Sequence, residues 1–136
     1  MATAQELFSK VYRHAMAQNA RAMTIGGKCV YSTHALHHGD SPPEGPDRRC
    51  FVGCLIPDGH VGLLSAGSAG QLLRDSPDLE SALIASDMSR FSAAGLLEYF
   101  QHVHDFQPVK DWPHALHGIA NDYNLKVPTT QPVEAA

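Results

Sequence analysis

The stretch "SRFSAAGLLEYFQHVHDFQP", residues 89–108, decides the fold class. Phe91, Leu96, Leu97, Phe100, Val103 and Phe106 recur at a period near 3.6 despite Gly95, which predicts a long amphipathic helix, and Pro108 forbids its continuation. Downstream, Asp111 stands where it would cap a last helix with the apolar stripe Trp112, Leu116, Ile119, Ala120 and Tyr123. Upstream, Thr3-Ala4-Gln5-Glu6 is a capping-box pattern, and Leu7, Phe8, Val11, Tyr12, Ala15 and Met16 then follow helical spacing, so a helix is expected from residue 4 to about 20. Two short helices are expected between these, one opened by Ser68-x-x-Gln71 and one by Ser76-Pro77.

The segment after the first helix reads differently. Gly26-Gly27 favours a turn. "KCVYST", 28–33, is short and β-rich, and "RRCFV", 48–52, would pair with it as a hairpin. The connection "HALHHGDSPPEGPD", 34–47, holds too many breakers for a core element and is expected to be an exposed loop. The expected fold is therefore mainly α (α+β): one compact helical domain over residues 1–127, with four to six helices, a small β-hairpin and a flexible tail at 128–136.

Composition bounds the function. The chain of 136 residues, 43% hydrophobic and 18% charged, is globular in character and large enough to bury a core without disulfides. Its net charge of −4 gives no footprint for nucleic acid. No apolar run is long enough for a membrane span and no secretory leader is read, so a cytoplasmic protein with three reduced thiols is expected. Self-association is left open. Nine histidines are the unusual feature, because their protonation in mild acid takes the net charge through zero.

Two chemistries draw on the Cys/His content. In the first, Cys50 lies in the first turn of a short helix at "CFVGCLI", where free backbone N–H groups together with Arg48 and Arg49 favour a thiolate. His104, or His102, would be its base and Asp105 the orienting carboxylate, although adjacent helical residues point about 100° apart and are not expected to bond side chain to side chain. The plainer reading makes Cys50 and Cys54 small buried hydrophobes and His104 a satisfied helix residue. In the second, zinc is the one cofactor that the ligand types suggest, held by Cys29, Cys50 and Cys54 with His34, His37 or His38, although C-x3-C is looser than finger spacing. His114 and His117 share a face of the last helix. Gly62, Gly67 and Gly70 have the look of a phosphate loop without a Gly-Lys-Ser/Thr ending.

The segments "KCVY", "RRCFVGCLIPD" and "LLEYFQHVHDF…DW…LHGIANDYNL" together resemble a group of small uncharacterised phage and prophage proteins, over residues 3 to about 126. Cys50, Gly53, Leu55, Ile56, Pro57, Asp58, His104, Asp105 and Trp112 match that pattern. The chain departs from it in the loop after Tyr31 and in lacking an acidic residue after Asp58. The resemblance implies a phage or mobile-element setting and no chemistry. The expected function is a non-catalytic binding protein without a cofactor that engages a host protein or small ligand, in a host-modulating or anti-defence role. Its partner surface would be the 34–47 loop with His37, His38, Arg48, Arg49 and Trp112. The alternatives are a Cys50–His104 hydrolase or transferase and a structural zinc domain.

Overall fold

A computed structural model describes residues 2–23, 29–35, 45–65 and 67–129. Its helices are α1 (Ala4–Gln18), α2 (Ala69–Asp75), α3 (Glu80–Leu83), α4 (Arg90–Phe106) and α5 (Trp112–Asp122), joined by 3₁₀ turns at Gly53–Leu55, Val61–Leu64, Pro77–Leu79 and Val109–Asp111. The domain is thus mainly α, as the periodicity predicts.

Local chemistry sets the helix ends. Thr3 forms the full capping box, its hydroxyl accepting from the Glu6 N–H while Glu6 accepts from the Thr3 N–H. Ser89 caps α4 by accepting from the Ser92 N–H. Ser68 caps α2 in the same way, but Gln71 turns its amide to Asp75 instead of closing a box. Asp111 makes no side-chain cap to α5, because it is taken into the 3₁₀ turn before it.

The core gathers Leu7, Phe8, Val11 and Ala15 of α1, Leu96, Leu97, Phe100 and Val103 of α4, and Trp112, Leu116 and Ile119 of α5 around Phe51, Val52 and Ile56. Three expectations need correction. Phe91 and Phe106 are not in that core: they are 90% and 71% exposed. Phe91 precedes Leu96 by five positions, a turn of about 500°, which puts it on the far side of α4. Trp112, expected at a partner surface, is fully buried.

The hairpin is the third correction. Among the described residues the 28–33 and 48–52 segments share one antiparallel bridge, Ser32–Arg49, beside which the Thr33 N–H donates to the Arg48 carbonyl and the Arg48 N–H to the Thr33 hydroxyl, and Met23 bridges Cys29, so no strand forms. The chain turns at Phe51 into a 3₁₀ segment, and the ladder has nowhere to extend. What holds the two segments is side-chain chemistry. Asp47 accepts from the Ser32 hydroxyl, the His34 N–H and the Arg49 guanidinium, and Arg49 also reaches the Ile56 carbonyl and Asp58. Burial pushes the Asp47 carboxyl up, but these donors outweigh it and hold its pKa below the usual range. Backbone packing is closest at Gly53, where a Cβ would lie 2.2 Å from the Tyr31 carbonyl oxygen.

Candidate functional site

The segment around Ala22 clamps the C-terminal half of α4. Arg21 donates to the carbonyls of His104 at 3.0 Å and Gln107 at 2.6 Å, which are among those a helix end leaves free. Ala22 donates its N–H to Nε2 of His104 at 3.1 Å, and its own carbonyl receives the Val30 N–H. This pairing brings Cys29 back against α4. Cys29, His104 and Asp105 form the one group of three Cys, His or acidic residues among the described residues whose ligating atoms lie within 4.8 Å of one another.

The hydrogen bonds of His104 define what that group can do. An N–H donor faces Nε2, so Nε2 is the unprotonated nitrogen and Nδ1 carries the hydrogen, which it donates to Asp105 at 2.7 Å. The direct His104–Asp105 bond corrects the expectation that these neighbours diverge. Nδ1 is the ring nitrogen nearest the backbone and the Asp side chain is short, so the two meet beside their shared peptide. The ring is fully buried, stacked on Trp112 at 5.6 Å and edge-on to Phe51 at 5.4 Å. Neither nitrogen is free to take a proton from a nucleophile. A metal on Nδ1 would displace its proton while Nε2 still faced a donor, leaving the imidazole with no proton at all; the trio suits a hydrogen-bond relay better than zinc.

The thiols follow the same logic. Burial pushes Cys50 up to about 12, and it accepts the Gly53 N–H at 3.2 Å. It lies in a turn, not at a helix N-terminus, so no helix dipole offsets the burial. Cys54 is likewise pushed up to about 12 by burial, and donates to the Phe51 carbonyl. Cys29 rises to about 11 through burial and the Asp105 carboxylate to which it hydrogen-bonds. The thiol brought to His104 and Asp105 is therefore Cys29, not Cys50. The structure does not gather Cys29, Cys50, Cys54 and His34, whose Nε2 bonds the Gly45 carbonyl, into one cluster. Arg49 serves the internal ties to Asp47, Ile56 and Asp58, and Arg48 is exposed. His37 and His38, with most of the 34–47 loop, lie outside the described residues.

Beside this relay is a cleft of about 370 Å³ between α4, residues 29–31, Ser65 and residues 67–69. It is lined by Glu98, Gln101, His102, Asp105 and Phe106 of α4 and by Cys29 and Tyr31, with Cys29 against Asp105. Tyr31 donates its hydroxyl to the Gly67 carbonyl at 2.8 Å, fastening the two loop segments to each other. The side-chain oxygen of Gln101 is buried and has no donor among the described residues. Glu98, Gln101, His102 and Asp105 follow i, i+3, i+4, i+7 spacing, a polar stripe beside the apolar one; that spacing was the available sequence signal for this lining. Gly67 lines the cleft, but the 61–70 glycines do not form a phosphate cradle: Val61–Leu64 is a 3₁₀ turn, opened by the His60 ring accepting the Gly62 N–H. His114 lies in a separate groove between α4 and α5, and the His117 ring packs 6.0 Å from Tyr12.

No protein-family model, no curated protein and no solved structure matches the chain. No helix among the described residues is long and apolar enough to cross a membrane.

Proposed function

We propose that this protein is a non-catalytic binding module whose ligand presents an ammonium or guanidinium group, on a short apolar stem, to the cleft beside α4. The observation that carries the reading is the concentration of acceptors there. The Glu98 and Asp105 carboxylates line the same cleft as Gln101, whose oxygen is buried without a donor. A donor-rich ligand would meet the exposed Glu98 carboxylate and the lone pairs of Asp105 that His104 and Cys29 leave free. Tyr31 and Phe106 offer apolar surface for the stem, and none of the described lining residues is Lys or Arg. Raised thiol pKa values and a fully engaged His104 favour binding over thiol catalysis. The resemblance to phage proteins suggests a host-modulating or anti-defence setting for such a module.

The test is an amide-resolved NMR titration with n-butylguanidinium and n-butylammonium, with butyrate and butanol as controls. The cations should shift resonances at Tyr31, Glu98, Gln101 and Asp105, and Glu98→Gln or Gln101→Leu should weaken the effect about tenfold. Equal response to butyrate, or no response around the cleft, overturns the reading.

A further inference from the structure

The two most exposed phenylalanines of the described chain sit on one helix face. At about 100° per residue, Phe91, Gly95, Glu98, Tyr99, His102 and Phe106 share the outward side of α4. Their order is symmetric about the Glu98–Tyr99 peptide. Phe91 precedes Glu98 by seven positions and Phe106 follows Tyr99 by seven; Gly95 and His102 stand three positions out on either side. A helix face with this symmetry is complementary to itself when reversed.

We propose that a second copy of this chain covers it, with the two α4 helices antiparallel about a two-fold axis at the Glu98–Tyr99 peptide. Phe91 then faces Phe106 of the second copy, Gly95 faces His102 so that large meets small, and Glu98 faces Tyr99, whose hydroxyl turns to it from its long 3.4 Å bond to Asp122. Such a contact is isologous and closes after two copies. The groove next to the ridge fits the same occupant. Between α4 and α5 it is lined by the small residues Gly95, Ala115 and Gly118, with open space over Gly118, and by Asp111, His114, Glu98 and His102. A lipid surface would want basic residues flanking the aromatics, whereas Arg90, the one basic residue in α4 apart from histidines, is paired with Glu80.

The patch also sets the strength. A helix of 17 residues is about 25 Å long, and two adjacent helices span about 20 Å, giving about 500 Å² per copy. Stable complexes bury about 800 Å² per partner, so the dimer should be weak and concentration-dependent, with a dissociation constant in the micromolar range. Glu98, His102 and Phe106 line the cleft as well as this face, but self-association is read on the chain alone, without any cation, so its failure and that of the cleft reading are distinguishable.

Sedimentation velocity over a concentration series, from low micromolar to several hundred micromolar, tests it. Wild type should pass from monomer to dimer. Phe91→Asp and Phe106→Lys, both at exposed positions and checked for unchanged circular dichroism, should each weaken self-association about tenfold or more. Mixed in equal amounts, the two variants should recover it, because one end of the heterodimer joins the introduced carboxylate to the introduced ammonium while the other keeps its Phe91–Phe106 pair. A monomer at every concentration, a dimer indifferent to both substitutions, or a mixture no tighter than its components would each overturn the proposal.

Discussion

Ala22 donates its backbone N–H to Nε2 of His104 while Nδ1 of the same ring donates to Asp105, so a buried imidazole ties the 21–30 segment to α4 in a single tautomer. The arrangement makes a structural prediction. His104→Phe fills the space but leaves the Ala22 donor unmet and removes the donor to Asp105. An expected cost of about 2–3 kcal/mol follows from stranding a buried polar group. Urea unfolding measures it, and a loss below about 0.5 kcal/mol would show that the bond to Ala22 contributes little.

Thiol labelling separates the three cysteines. With Cys50 and Cys54 pushed up to about 12 and Cys29 to about 11, all three should react slowly with iodoacetamide at neutral pH, with Cys29 first. Asp105→Asn removes the negative charge that helps hold the Cys29 thiol protonated. Labelling at Cys29 should then accelerate several-fold, by loss of the charge repulsion, while Cys50 stays inert. Rapid reaction of wild-type Cys50 would reverse the assignment and revive a thiol nucleophile at that position.

Gly53 is the point of closest approach between the 29–32 and 50–56 segments. A Cβ there would meet the Tyr31 carbonyl oxygen at 2.2 Å, and backbone on both sides leaves no flexible side chain to yield. Gly53→Ala should destabilise by about 3 kcal/mol or more, through the backbone shift it forces. Gly118→Ala, where nothing lies within 4 Å of the added methyl, is the control and should be neutral or slightly stabilising in its helix.

The helices were legible because each carries both a period and an end signal: Thr3 and Glu6 for α1, Ser89 and Pro108 for α4. Phe91 and Phe106 share the spacing of the apolar residues but not their phase, since each lies well off the Leu96–Phe100–Val103 line. The hairpin failed because β-branched content in a six-residue segment does not make a ladder when its partner turns into a 3₁₀ segment after one bridge. In the site, the polar row Glu98, Gln101, His102, Asp105 was readable in the α4 sequence. Cys29 was not: what puts it against Asp105 is the Arg21 and Ala22 clamp, a set of bonds to residues more than eighty positions away.

Arg49 and Arg48 make a matched comparison, being adjacent in sequence and opposite in role. Arg49 bonds Asp47, the Ile56 carbonyl and Asp58, whereas the Arg48 side chain is exposed. Arg49→Ala should cost about 1–3 kcal/mol because it unties three segments and strands an acceptor, and Arg48→Ala should stay within about 0.5 kcal/mol. Thermal unfolding of the two variants decides it; equal melting temperatures would mean that the Arg49 network is not stabilising.

The pH dependence of stability should have two limbs with different owners. Burial pushes the His14 pKa below 6.5, partly offset by its hydrogen bond to the Arg49 carbonyl, so the folded state holds the ring neutral. Below pH about 6.5 the unfolded chain takes up a proton that the folded one refuses, and stability falls as pH falls. Cys50 and Cys54 act in the opposite sense. Their folded-state pKa values near 12 exceed the unfolded value of about 8.5, so their contribution is intact below pH about 8.5 and is lost as pH climbs towards 12, and Cys29, raised to about 11, adds to the same limb. Urea midpoints between pH about 5 and 10 should therefore show a plateau at pH about 6.5 to 8.5. His14→Gln should flatten the acid limb and leave the alkaline one. Cys50→Ala should lower the whole curve, because it opens a cavity, while softening the alkaline limb. Asp47, whose carboxyl is held low, contributes its loss only below about pH 4 and stays out of this window. An acid limb unchanged in His14→Gln would move its origin to another of the nine histidines.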